Sequence, residues 1–436
     1  MLARALCITT TAISAAALAG CGSAVVDGGS GNPGITIVSG NAQTGIAGET
    51  LASPLVVRLG DGSGHAVGGA TIRWDALGDG SVSASTSGTD SEGLASITLR
   101  LGIVEGLQGV RATVLFSSLT PRDVTFGATI TPTGNAAPAL TWTAAQLPAI
   151  STCAYTQWLD IWAASATDVF AVGGCGTIRH FTGSSWEAQS SGTSHTLSRV
   201  WGRSSTDVFA VGDSATVLHY DGTTWSEVPG LPLGSVNGVW GSQTGDLFVV
   251  THDSVVKGHV WRHNDAGWTV QFNRMCPMSA IWGSSSTDIF AVGVGFPVRY
   301  DGVSWTDSGC TPLWGRYDVS GAGPGQVYTV GYEIDYSNCT RGGGCAMPAV
   351  VAQYDGTHWQ RRLTMQQYPP PLRAVWVGSD SEVVVVGSSG LIIHGDGTHW
   401  RLEPSGTSAT ILAVRGSVPT SLWALTSDGL VLHGTR

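Results

Sequence analysis

Four histidines, His180, His219, His394 and His433, are the side chains here most suited to metal binding or proton transfer. Each follows a short apolar run, and Arg262, Arg299 and Gln353 hold the same place in similar runs. The position therefore demands no single chemistry. Repetition also spreads the histidines over separate copies of one unit, too far apart to share an ion that needs ligands at about 2 Å. No metal and no cofactor is expected. Asp221, Asp301, Asp355 and Asp396 each precede Gly in a turn, where a carboxylate accepts backbone N–H groups. No Ser/His/Asp set, catalytic carboxylate pair or nucleotide-binding loop stands out, so no catalytic residue is assigned. One segment, 333–348, interrupts the repeats. Its Glu333, Asp335, Tyr336 and Arg341 are the candidate ligand contacts, because loops inserted on a rigid scaffold often carry binding.

The repeat supplies that scaffold. Trp162, Trp201, Trp240, Trp282 and Trp376 share one position, with Ser320 and Arg415 in two further copies. A Phe/Val-rich strand recurs at 168–173, 207–212 and 288–293, and a turn such as YDGTTW (220–225) or YDGVSW (300–305) closes the unit. Four short strands in roughly 40–50 residues make a propeller blade. The last copy has three strands, and 139–146 supplies the fourth. The count is a seven-bladed β-propeller over 139–436, closed by strands from both ends of the repeat region. The repeated Trp residues are expected to fill space between blades. The turns resemble those of Asp-box or BNR-like propellers. A true Asp box separates Asp from Gly by one residue, whereas here they are adjacent, so the resemblance carries the fold and not sialidase activity.

Residues 35–132 alternate in polarity over strands at 55–59, 70–74, 94–101 and 109–116, the pattern of a β-sandwich. No Cys lies between 22 and 152. The segments PLVVRLGDGSGHAVGGATIRW, TDSEGLASITLRLG and VTFGATITP resemble the bacterial Ig-like group 1 domain of invasin and intimin type, which implies a spacer or adhesive stalk. Asp61, Asp79, Asp90 and Glu92 read as turn formers, and 133–138 as a linker.

The first 21 residues read as a secretory signal, and Leu18-Ala19-Gly20-Cys21 resembles the bacterial lipobox. That resemblance implies lipidation at Cys21, a membrane anchor and, with Gly22 following, the outer membrane. Residues 22–34 form a flexible tether. Six later cysteines suit an exported chain. Their places in the repeat put all six on one rim and favour Cys153–Cys175, Cys276–Cys310 and Cys339–Cys345. Charged residues are only 12%, net charge is −10, and Lys257 is the sole lysine, which argues against nucleic-acid binding. A 42% hydrophobic content with 17 Trp supports a core. The expected protein is an all-β, non-enzymatic envelope lipoprotein. Its propeller head binds a glycan or a surface protein, with exposed Trp faces available to stack on sugars. The alternatives are a membrane-tethered propeller glycoside hydrolase and a periplasmic envelope-assembly scaffold.

Overall fold

The computed structural model describes residues 34–114, 122–131, 138–149, 157–232, 234–253, 257–310, 314–334, 345, 347–365, 372–378 and 382–436. Cys21 and the 22–33 tether lie outside them, as does the 133–137 linker. The described elements are strands and short turns. In the N-terminal part, Gly34–Ser39, Leu55–Gly60 and Leu94–Ile97 form one sheet. Gln43–Ile46, Arg122–Thr131, Val104–Val114, Thr71–Leu77 and Thr86–Gly88 form a second. Alternation along these strands turns one apolar face of each sheet inward, so both sheets share a core that includes Val57, Leu59, Ile72, Val110 and Phe126. Trp74 sits in that core, fully buried, and donates its Nε1–H to Ser87 Oγ at 2.9 Å. Asp61 and Asp90 cap turns as expected from sequence, each carboxylate accepting two nearby backbone N–H groups. Asp79 does not. Its Oδ2 accepts the amides of Ile103 and Val104, locking a distant segment.

That segment joins the two parts of the molecule. Val104 and Glu105 pair in parallel with Trp400 and Arg401. Val104 is buried in the same cluster as Trp400, Val375 and Ile393. The sandwich is thus fixed to the edge of a propeller sheet by strand addition, a contact that the alternation pattern did not announce.

From residue 158 onward, the described strands form six antiparallel units of four strands and a last one of three. The first strands of these repeats are Trp158–Ser165, Leu197–Ser204, Ser235–Gly241, Met278–Ser285, Trp314–Gly323, Leu372–Val377 and Ile411–Val418. Each packs on the next, and the seventh packs on the first, so they surround a common axis. Second strands lie between neighbouring sheets and are covered on both faces. Val169, Phe170, Ala171 and Val172 are all fully buried, which explains a continuous apolar run where alternation would otherwise be expected. The closing turns at 220–225, 300–305 and 354–359 share one geometry. Asp221 Oδ1 accepts the Thr223 and Thr224 amides at 2.8 Å, Tyr220 donates to Gly222 O at 2.9 Å, and Gly222 occupies φ +94°.

Contact around the axis follows a size rule. The Trp of one repeat lies over the residue after the equivalent position in the next. A Cβ placed on Gly202, Gly241, Gly283 or Gly321 would meet Trp162, Trp201, Trp240 or Trp282 at 2.7, 2.8, 2.7 and 2.6 Å. Trp376 donates Nε1–H to Gly416 O at 2.9 Å. The two repeats without Trp are followed by larger residues: Ser320 precedes Val377, and Arg415 precedes Ala163. Gly241→Ala should therefore cost about 1–3 kcal/mol through overpacking against Trp201. Gly323→Ala, which meets nothing within 4 Å, should cost nothing. Urea unfolding of the two variants checks this, and equal midpoints would contradict it.

The strand Thr141–Gln146 pairs with Leu430–Thr435 and completes the seventh sheet. Glu403, from the sixth repeat, holds it there. Its carboxylate accepts the Leu140 amide at 3.1 Å and the Trp142 indole N–H at 2.7 Å.

Candidate functional site

The histidine positions resolve into struts within single repeats. The first residue of the second strand faces the repeated position on the third. His180 Nε2 lies 2.7 Å from Asp168, His219 Nε2 2.9 Å from Asp207, and His433 Nε2 2.9 Å from Ser421 Oγ. Arg262 and Arg299 pair with Asp246 and Asp288 at 2.9 and 2.8 Å. The rings stack on a neighbouring aromatic, as in His180 on Phe170 at 4.0 Å and His433 on Trp423 at 4.0 Å. His394 is fully buried, with Nδ1 2.7 Å from Glu403 and Nε2 3.1 Å from Glu382. Among the described residues, no three His, Cys, Asp or Glu side chains gather as a metal site.

Of the insertion candidates, Glu333 is described. It is buried, accepts from Arg316 Nη2 at 2.7 Å and pairs with Arg361. Its carboxylate belongs to the body of the fifth repeat and is not offered to a ligand. Asp335, Tyr336 and Arg341 lie outside the described residues. Cys276 and Cys310 form a disulfide with Cα atoms 5.9 Å apart. Cys175 and Cys345 are also disulfide-bonded. Their expected partners, Cys153 and Cys339, lie outside the described residues.

Sequence reasoning missed the groups at the axis. Arg415, in the seventh repeat, donates Nη1–H to Asp318 of the fifth at 3.0 Å and so reaches past the sixth. Asp318 and Asp160 each also accept an amide from the adjacent repeat, Val375 at 3.1 Å and Val200 at 3.0 Å. Burial raises the Asp160 pKa, against the opposing pull of Arg415 and Arg199. Burial works against charge on Arg415 too, but Asp318 and Asp160 outweigh it and hold the guanidinium charged. One clue was in the sequence: Arg415 stands where other repeats carry Trp.

Toward the end of the axis where first strands begin, Tyr317 immediately precedes Asp318, Arg373 stands near the start of the sixth repeat's first strand, and Tyr332 pairs with Gly315. Arg373 stacks 5.4 Å over the Tyr317 ring, and the two Tyr rings lie 6.0 Å apart. Burial, then the neighbouring Tyr332, raises the Tyr317 pKa, so its hydroxyl stays a donor. Arg373 makes no ion pair among the described residues, and Arg199 acts on Asp160 without a direct ion-pair contact. Connections from second to third strands, and from each sheet to the next, emerge on this same face. It therefore carries Cys175, Cys276, Cys310 and Cys345. A 510 Å³ depression lined by Cys175, Arg179, Gln189, Ser191 and Thr193 also opens there. Trp faces do not contribute to it. Every Trp whose side chain is described is at least half-buried.

No family model and no curated protein matches the chain. Solved structures do. A structure described as YCF48 bound to D1 peptide is 18% identical, with a TM-score of 0.52, covering 69% of this chain and 99% of that one. The WD40 β-propeller domain of Doa1 is 12% identical, with a TM-score of 0.47, covering 67% of this chain and 97% of that one. At such identity the first likeness speaks for fold: the protein is all-β and contains a β-propeller.

Proposed function

We propose that the protein is a non-enzymatic binding scaffold whose propeller takes a segment of a protein partner over the Tyr317–Arg373 end of the axis. The observation that carries this reading is the axial layer itself. Asp160, Asp318 and Arg415 gather buried charge at the axis, while Arg373, stacked on Tyr317, is available to a carboxylate on the incoming segment. The peptide bound to the YCF48 propeller fits this reading. Cyclic contact of the repeats supports a seven-bladed head, and the two-sheet core supports an Ig-like stalk. The strand contact between them suits display of the head at a cell envelope.

Panning a random-peptide display library on the full chain tests the binding reading. Selected peptides should lose at least tenfold in affinity on Arg373→Ala, a charge-assisted contact being worth about 1.5–3 kcal/mol. Peptides indifferent to Arg373→Ala and Tyr317→Ala would refute it. The envelope reading rests on the lipobox resemblance. Cys21→Ser should move the protein from the membrane to the soluble envelope fraction, and unchanged partitioning would refute the anchor.

A further inference from the structure

We propose that the cleft between the sandwich and the fifth repeat is a binding site for a small oxyanion, a phosphate or sulfate group. The cleft has a volume of about 190 Å³. Gly48, Asp79 and Arg100 line it from the sandwich, and Arg361 and Arg362 from the outer strand of the repeat. None of Tyr317, Tyr332 and Arg373 lines it.

Charge singles it out. The chain as a whole carries −10, yet three arginines and one carboxylate converge here from separate parts of the fold. The carboxylate is already engaged, since Asp79 accepts the Ile103 and Val104 amides. Arg100 Nε donates to Gly48 O at 2.9 Å, which orients the side chain. Arg362 Nε donates to Gln353 Oε1 at 2.6 Å. Neither makes an ion pair among the described residues. Arg361 pairs with Glu333, but the buried Arg316 shares that carboxylate. Counting Arg316 and Glu333 with the lining residues, four guanidinium groups stand against two carboxylates, an excess of two positive charges. Guanidinium groups present paired N–H donors that match tetrahedral oxyanions. The volume takes such an ion together with a few waters at about 30 Å³ each. Because the arginines come from both parts of the molecule, a bound oxyanion bridges sandwich and propeller and stabilises their junction by mass action.

Thermal unfolding of the full chain tests the proposal. Sodium phosphate, sodium sulfate and methyl phosphate are titrated against sodium chloride at matched ionic strength and pH. A saturable rise in Tm with the oxyanions and none with chloride is expected. Arg100→Gln, folded as judged by an unchanged Tm in chloride, should weaken the apparent affinity about tenfold. Arg362→Gln, read the same way, is the second variant, and Arg58→Gln, elsewhere on the sandwich, should leave it unchanged. Equal response to methyl phosphate and phosphate identifies the free ion's chemistry as sufficient, and tighter binding of the ester identifies a phosphate carried on a larger molecule. A linear, non-saturating rise shared by the parent, Arg100→Gln and Arg362→Gln would be general salt exclusion and would overturn the site.

Discussion

Glu403→Gln should lower the unfolding free energy by about 3 kcal/mol at neutral pH, and the loss should disappear in acid. Glu403 is buried and accepts from four neighbours: Leu140, Trp142, His394 and Arg401. Burial alone would raise its pKa. Hydrogen bonds from His394 and Trp142, the His394 charge and the Leu140 amide outweigh burial and bring it to about 2. A carboxylate depressed in the folded state stabilises the fold above its unfolded pKa of about 4.5 and loses that contribution as pH falls toward the folded value. Urea unfolding between pH 2 and 7 should therefore show the parent and the variant converging below pH 4.5. Because Glu403 holds the strand that completes the seventh sheet, the variant should also be cleaved sooner by protease near 138–146. Parallel pH curves would show that ring closure does not depend on this carboxylate.

Arg415→Ala should cost about 3–5 kcal/mol, the cost of breaking a buried ion pair from one side. Asp318 is buried and loses its charged partner across the axis, while Asp160, also buried, loses the stronger of the two charges that favour its ionised form. The double variant Arg415→Met, Asp318→Asn should recover much of the loss, because the Asp318 charge goes with its partner and Asp160 keeps the pull of Arg199. Arg415→Lys should fall between parent and Ala, since one ammonium cannot reproduce the two-pronged contact. Equilibrium urea unfolding of the four proteins separates these outcomes. A cost below about 1 kcal/mol for Arg415→Ala would mean that the axial charges behave like solvated surface ions.

The propeller fold was legible in the sequence because a repeat exposes its own spacing. Trp162, Trp201, Trp240, Trp282 and Trp376 marked the first strands, and the Asp-Gly turns marked the last. The closing strand at 141–146 followed from the shortage of one strand in the final copy. One further signal was present and unread: Gly follows wherever the preceding repeat has Trp, whereas Val377 and Ala163 follow Ser320 and Arg415. That pairing encodes which repeat touches which. The axial layer was harder to see, because Asp160, Asp318 and Arg415 are far apart in sequence and meet only once the ring closes. Asp79 was read as a turn former from its Gly neighbours, since nothing local indicates that its carboxylate serves residues 103 and 104. The docking of Val104–Glu105 on Trp400–Arg401 is a two-residue contact and leaves no periodicity to detect. Glu333 looked like a ligand group because it begins the insertion, but it is the last residue of a buried strand, where Arg316 requires it.

The central claim is that a partner segment lies over the Tyr317–Arg373 end of the axis. Hydrogen–deuterium exchange of the full chain, with and without a peptide selected on it, tests this most directly. The account predicts new protection at the starts of the first strands, around 158–160, 316–318 and 372–374, and at 331–333, all of it absent in Arg373→Ala. Protection confined to the Asp-Gly turns at 221–224, 301–304 and 355–358, at the opposite ends of the strands, would contradict it.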